Sequence, residues 1–67
     1  MTTNISTDGK HGVDIMRNGK DGNYMAFAVQ RNGERFEYWY TIGSNYKTIE
    51  SALRYATKSL AKHGYSI

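Results

Sequence analysis

The dipeptide Asn32-Gly33 sits between two runs rich in aromatic and β-favouring residues, Tyr24 to Arg31 (YMAFAVQR) and Glu34 to Ile42 (ERFEYWYTI). A type I′ turn needs positive φ at both central residues, which Asn-Gly supplies at low steric cost, so the stretch reads as a β-hairpin. With Asn32 and Gly33 as the loop, Arg31 closes against Glu34. The ladder then pairs Gln30 with Arg35, Val29 with Phe36, Ala28 with Glu37, Phe27 with Tyr38, Ala26 with Trp39, Met25 with Tyr40 and Tyr24 with Thr41. This register sorts the hairpin into two faces. One collects Met25, Phe27, Val29, Phe36, Tyr38 and Tyr40, with Ile42 just beyond, and is expected to be the core face. The other carries Tyr24, Ala26, Ala28, Gln30, Arg35, Glu37, Trp39 and Thr41 and is expected to be open, with Trp39 opposite an alanine too small to hide an indole.

The flanking segments extend this into a two-layer fold. Gly12 to Arg17 reads as a short strand, Val13 and Ile15 alternating with Asp14, and the turn formers Asn18 to Asn23 connect it to the hairpin. Residues 1–11 are polar apart from Ile5, and are expected to form a flexible arm because they bury too little to offset their ordering entropy. After the loop Gly43 to Tyr46, Thr48 is an N-cap, Glu50 lies in the first turn, and a helix is predicted from Ile49 to His63 with Gly64 as its stop. Wrapped as a helix, Ile49, Ala52, Leu53, Ala56, Leu60 and His63 share one face, and Arg54, Lys58 and Lys62 lie opposite. The expected architecture is α+β: a three-stranded antiparallel meander packed on one C-terminal helix, β-β-β-α, over residues 12–67, with the tail Tyr65-Ser66-Ile67 against a sheet edge.

With 67 residues the chain has room for one domain, and having no cysteine it lacks disulfides and thiolate metal sites. The N-terminus carries neither a basic nor an apolar leader region and no stretch is long and apolar enough to span a bilayer, so a soluble cytoplasmic protein without membrane contact is expected. The net charge of +3 has a location. Lys10, Arg17, Lys20, Arg31 and Arg35 are balanced by Asp8, Asp14, Asp21, Glu34 and Glu37, whereas Lys47, Arg54, Lys58 and Lys62 face only Glu50. A basic excess of this kind favours anionic partners.

No constellation of catalytic residues emerges. The carboxylates of Asp14, Glu34, Glu37 and Glu50 fall on different elements, and no serine, threonine or histidine has a partner identifiable by spacing. The glycine-lysine clusters around Gly9 and Gly19 lack the phosphate-loop spacing. No enzyme activity, cofactor or metal site is expected. Binding is the better prospect: Tyr24, Gln30, Arg31, Arg35 and Trp39 combine stacking surface with hydrogen-bond donors, and Arg54, Lys58 and Lys62 form a second, basic stripe able to track phosphates.

Tyr24 to Val29, then Asn32-Gly33, then Phe36 to Tyr40, then Thr48-Ile49-Glu50-Ser51-Ala52-Leu53, resemble the AP2-type DNA-binding domain and its relatives at the N-terminus of phage integrases. The resemblance implies that the exposed sheet face enters the DNA major groove, that the helix only supports it, and that Arg31, Arg35 and Trp39 make the contacts. The chain departs from that pattern at Glu37, within the supposed DNA face, and in carrying its basic excess on the helix. It is also similar to small accessory proteins of phages and mobile elements that block a host nuclease or defence complex, a role suited to tyrosine and tryptophan on a rigid sheet. The reading that follows is a non-catalytic binding module, monomeric or weakly dimeric. Its expected partner is nucleic acid, with DNA favoured; the alternative is a host protein complex.

Overall fold

The computed structural model describes residues 2–66. Its elements in chain order are β1 (Thr2–Ile5), β2 (His11–Arg17), β3 (Tyr24–Asn32), β4 (Arg35–Tyr46) and helix α1 (Ile49–Lys62). The strands form one antiparallel sheet in the order β1-β2-β3-β4, and α1 packs across β2, β3 and β4. The architecture is therefore α+β with a C-terminal helix, but with four strands rather than three.

The added strand comes from the segment expected to be a flexible arm. Thr2 to Ile5 pair with Ile15 to Gly12 of β2, and the turn chemistry between them explains why a stretch with so little to bury is ordered. The Asp8 carboxylate accepts from the Ser6 hydroxyl, from the amides of Lys10 at 2.8 Å and His11 at 3.2 Å, and meets His11 Nδ1 at 2.9 Å. A side chain that satisfies several local backbone donors replaces the hydrophobic burial such a loop lacks. Met1 and Ile67, the ends of the expected arm and tail, lie outside the described residues.

The hairpin exists, in a shifted register. Asn32 pairs with Arg35, Arg31 with Phe36, Gln30 with Glu37 and Val29 with Tyr38, so the loop is Gly33-Glu34 instead of Asn32-Gly33. Gly33 has φ +68°, the left-handed conformation expected of the glycine in this turn. Farther along, Ala28 pairs with Tyr40, leaving Trp39 as an extra residue, and further irregularities follow toward Gly43 and Tyr46. A one-residue bulge reverses which side the following residues occupy. Trp39 and Tyr40 consequently both lie on the helix side, where Tyr40 Oη and Ser59 Oγ share a hydrogen bond of 2.7 Å.

The core lies on the opposite face of the hairpin from the one expected. Val13 and Ile15 pair with Ala28 and Ala26, and these four pack with Ala52, Ala56 and Leu60 of α1. Tyr24, Trp39, Tyr40, Ile42, Tyr46, Leu53 and Tyr65 surround this cluster. Small residues on both surfaces let helix and sheet approach closely, and the large rings close the seam around them. The face collecting Met25, Phe27, Val29, Phe36 and Tyr38 is thereby left without a covering layer.

Helix α1 follows its sequence signals closely. Thr48 Oγ1 accepts from the Ser51 amide at 3.1 Å, which satisfies one of the free donors of the first turn. At the other end Gly64 N donates to Ala61 O and Tyr65 N to Leu60 O, both at 3.0 Å, with Gly64 at φ +89°. This is a Schellman motif with His63 as the C-cap. It turns the tail back so that Ser66 O accepts from Thr7 N at 2.9 Å.

Candidate binding face of the sheet

The uncovered face can be read from the ladder. Gly12 pairs with Val29, Asp14 with Phe27 and Met16 with Met25 across β2 and β3, while Val29 pairs with Tyr38, Phe27 with Thr41 and Arg31 with Phe36 across β3 and β4. Ile5 extends the row onto β1 through its pairing with Gly12. Three large apolar side chains on this face are exposed, Tyr38 at 63 %, Ile5 at 48 % and Met16 at 39 %, around half-buried Met25, Phe27 and Phe36 and a buried Val29. Contiguous exposed apolar surface of this kind marks an interaction site more often than a solvated face.

Phe27 and Tyr38 meet edge to face, with ring centroids 6.1 Å apart and planes at 70°. The Arg31 guanidinium lies 5.8 Å from the Phe36 ring centroid and is steadied by a 2.9 Å hydrogen bond from Nε to Gly33 O. Asp14, Phe27, Val29, Phe36 and Tyr38 line a shallow depression of about 250 Å³. Tyr38 Oη and Thr41 Oγ1 are 2.9 Å apart, which fixes the phenol at the rim. The arrangement offers flat rings for stacking, one cation over a ring, and few other charges.

The expected site residues divide between the two sides of the sheet. Arg31 is on the open face. Gln30 and Arg35 pair with Glu37 and Asn32 at the exposed hairpin tip, on the other side of the sheet from Arg31. Glu37 accepts from Asn32 Nδ2 at 3.2 Å on that same side, while Asp14, paired with Phe27, brings a carboxylate to the open face. Tyr24 and Trp39, expected to be its stacking surface, belong instead to the helix side and pack against the core. Trp39 is enclosed by rings, with centroid distances of 5.3 Å to His11, 5.2 Å to His63, 5.0 Å to Tyr40 and 6.0 Å to Tyr65. Of the contacts implied by the AP2-type resemblance, Arg35 and Trp39 therefore lie on the helix side and Arg31 on the open face.

Phe27, Phe36 and Tyr38, expected in the core, lie outside it, and the signal for that placement is the alanine pair. A helix presenting Ala52 and Ala56 needs a sheet face that is equally small at its centre, and only Ala26 and Ala28 provide one.

The basic stripe on α1 borders two grooves. Lys58 and Lys62 line one with Ile42, Tyr46, Tyr55 and Ser59, and Lys58 also lines the other, with Arg54, Glu50, Leu53 and Thr57.

The one carboxylate-imidazole pair among the described residues, Asp8 with His11, does not form a nucleophile-activating triad. Asp8 sits between Ser6 and His11, so the serine hydroxyl is directed at the carboxylate and not at the imidazole, and Ser6 is 5 % exposed. Those contacts, with the Ser6 hydroxyl foremost, then the Lys10 amide and the His11 ring, hold the Asp8 carboxyl well below its ordinary value of 3.8. No group of three or more histidine, aspartate or glutamate side chains among the described residues is placed to hold a metal ion. No described helix is long and apolar enough to cross a membrane. No family model, curated protein or solved structure matches the chain.

Proposed function

We propose that this protein is a non-catalytic binding module that takes single-stranded nucleic acid, DNA foremost, on the open face of its sheet. The observation that carries the reading is the set of rings Phe27, Phe36 and Tyr38 on an uncovered sheet face, with the Arg31 guanidinium against one of them. Unstacked bases bind to such platforms because every base has a π-face, and a neighbouring cation meets the phosphates. The net charge of +3 favours the same partner.

Anisotropy of a labelled single-stranded oligonucleotide at low and moderate salt tests this. Binding should weaken as salt rises, and Phe27→Ala or Tyr38→Ala should each cost about 1–3 kcal/mol of affinity. Absent binding at low salt, or binding unchanged in both variants, would overturn the reading.

A protein partner on the same face is the second reading, favoured by the apolar side chains of Ile5 and Met16 flanking the rings. Methionine and aromatic residues are enriched at the centres of protein interfaces. This reading predicts a stoichiometric complex with a host protein that is insensitive to salt and is lost in Tyr38→Ala; retention of the complex in that variant would contradict it.

A further inference from the structure

On the far side of edge strand β4 from the open face, β4 and α1 enclose a groove of about 330 Å³ lined by Ile42, Tyr46, Tyr55, Lys58, Ser59 and Lys62. Its chemistry differs from that of the sheet face. Lys58 and Lys62, one helical turn apart, bring two ammonium groups to one rim, and no carboxylate lines the groove. Neither ammonium is in an ion pair among the described residues; Glu50 borders only the neighbouring groove that Lys58 also lines. Beside them Tyr46 of β4 and Tyr55 of α1 stack with centroids 5.3 Å apart and planes 17° from parallel, and Tyr55 keeps 52 % of its surface exposed. Ile42 adds an apolar patch, and the Ser59 hydroxyl, already engaged with Tyr40 Oη, keeps acceptor capacity toward the groove.

Two uncompensated cations beside an exposed ring stack complement a ligand that carries an anionic group and a flat heterocycle within one small molecule. The groove's volume lies at the lower end of the range for small-molecule sites. We propose that this groove is a second binding site, for a nucleoside 5′-phosphate, with the phosphate between Lys58 and Lys62 and the base on Tyr55. The same chemistry is presented by a free mononucleotide and by the 5′-phosphorylated end of a strand. The site is separate from the sheet face and stands whether or not that face binds nucleic acid.

The test is a titration followed through the backbone amide resonances of the labelled full chain, with AMP, adenosine, inorganic phosphate, and a short oligonucleotide with and without a 5′-phosphate. AMP should move the amides of Tyr46, Tyr55, Lys58 and Lys62 saturably while those of Phe27 and Tyr38 stay in place. Phosphate alone should act on Lys58 and Lys62 more weakly. Tyr55→Ala should reduce AMP affinity on the order of tenfold without altering the phosphate response, and the double variant Lys58→Glu, Lys62→Glu should abolish both. Groove shifts from the 5′-phosphorylated oligonucleotide that exceed those from AMP identify a strand end as the source, and the reverse identifies the free nucleotide. The proposal is overturned if AMP gives no saturable shift, if AMP and phosphate give equal shifts at equal concentration, or if Tyr55→Ala leaves AMP binding unchanged. All three positions line the surface, so amide dispersion like that of the parent chain verifies folding in each variant.

Discussion

Asp8 gathers the Ser6 hydroxyl, two backbone amides and the His11 ring on one carboxylate, and through them sets the turn that lets β1 fold back on β2. Because these contacts favour the ionised form, its folded-state pKa lies below the unfolded value. The stability it contributes is therefore fully present above about pH 4, the ordinary aspartate range, and is lost as pH falls toward the folded-state value. Thermal melts from pH 5 downward should show the parent chain and Asp8→Ala converging as the medium becomes more acidic; a gap that stays constant with pH would contradict this role. Asp8 was legible only as a polar residue in a polar segment, since its worth lies in donors the backbone presents after folding. Tyr40 failed to be legible for a different reason. Its side of the sheet depends on the extra residue between the Ala28–Tyr40 and Val29–Tyr38 pairs, and no residue type in Glu37 to Thr41 announces a bulge.

Elements bounded by local chemistry were the legible ones. Thr48, Gly64 and the spacing of Ala52, Ala56 and Leu60 delimit α1 by interactions within a few residues, and the helix found, Ile49–Lys62, ends one residue before the predicted limit. Strand β1 has no such markers; it is held by pairing and by the loop that precedes β2. That pairing requires a bare backbone at Gly12, where an added Cβ would fall 2.6 Å from Asn4 O and 3.2 Å from Ile5 Cα. Gly12→Ala should therefore push β1 off the sheet while α1 stays in place. Amide hydrogen exchange should show lost protection along β1 with α1 amides retained, and unchanged protection of β1 would contradict this close approach.

At the scale of the whole molecule, one choice decides what the surface offers: which face of the sheet the helix takes. Hydrophobic volume alone favours packing Phe27, Val29, Phe36 and Tyr38 against the helix, and a reading that ranks faces by apolar bulk arrives there. The fold instead buries the small residues between Val13, Ile15 and α1, and closes the margin with Tyr24, Trp39, Tyr40, Tyr46 and Tyr65. Alternation in β3 was enough to separate the two sets of residues, but not to say which set meets the helix, because that depends on the fit between two surfaces distant in sequence. The proposed nucleic-acid face and the groove beside β4 both follow from this choice. Its most direct test is chemical denaturation of Ala28→Leu and Tyr38→Ser beside the parent chain. Ala28 is 0 % exposed beneath α1, so the added bulk should cost about 1–3 kcal/mol of stability. Tyr38 is 63 % exposed on the open face, so its truncation should cost less than about 1 kcal/mol. The reverse order, with Tyr38→Ser strongly destabilised and Ala28→Leu tolerated, would place the helix on the aromatic face and contradict the account.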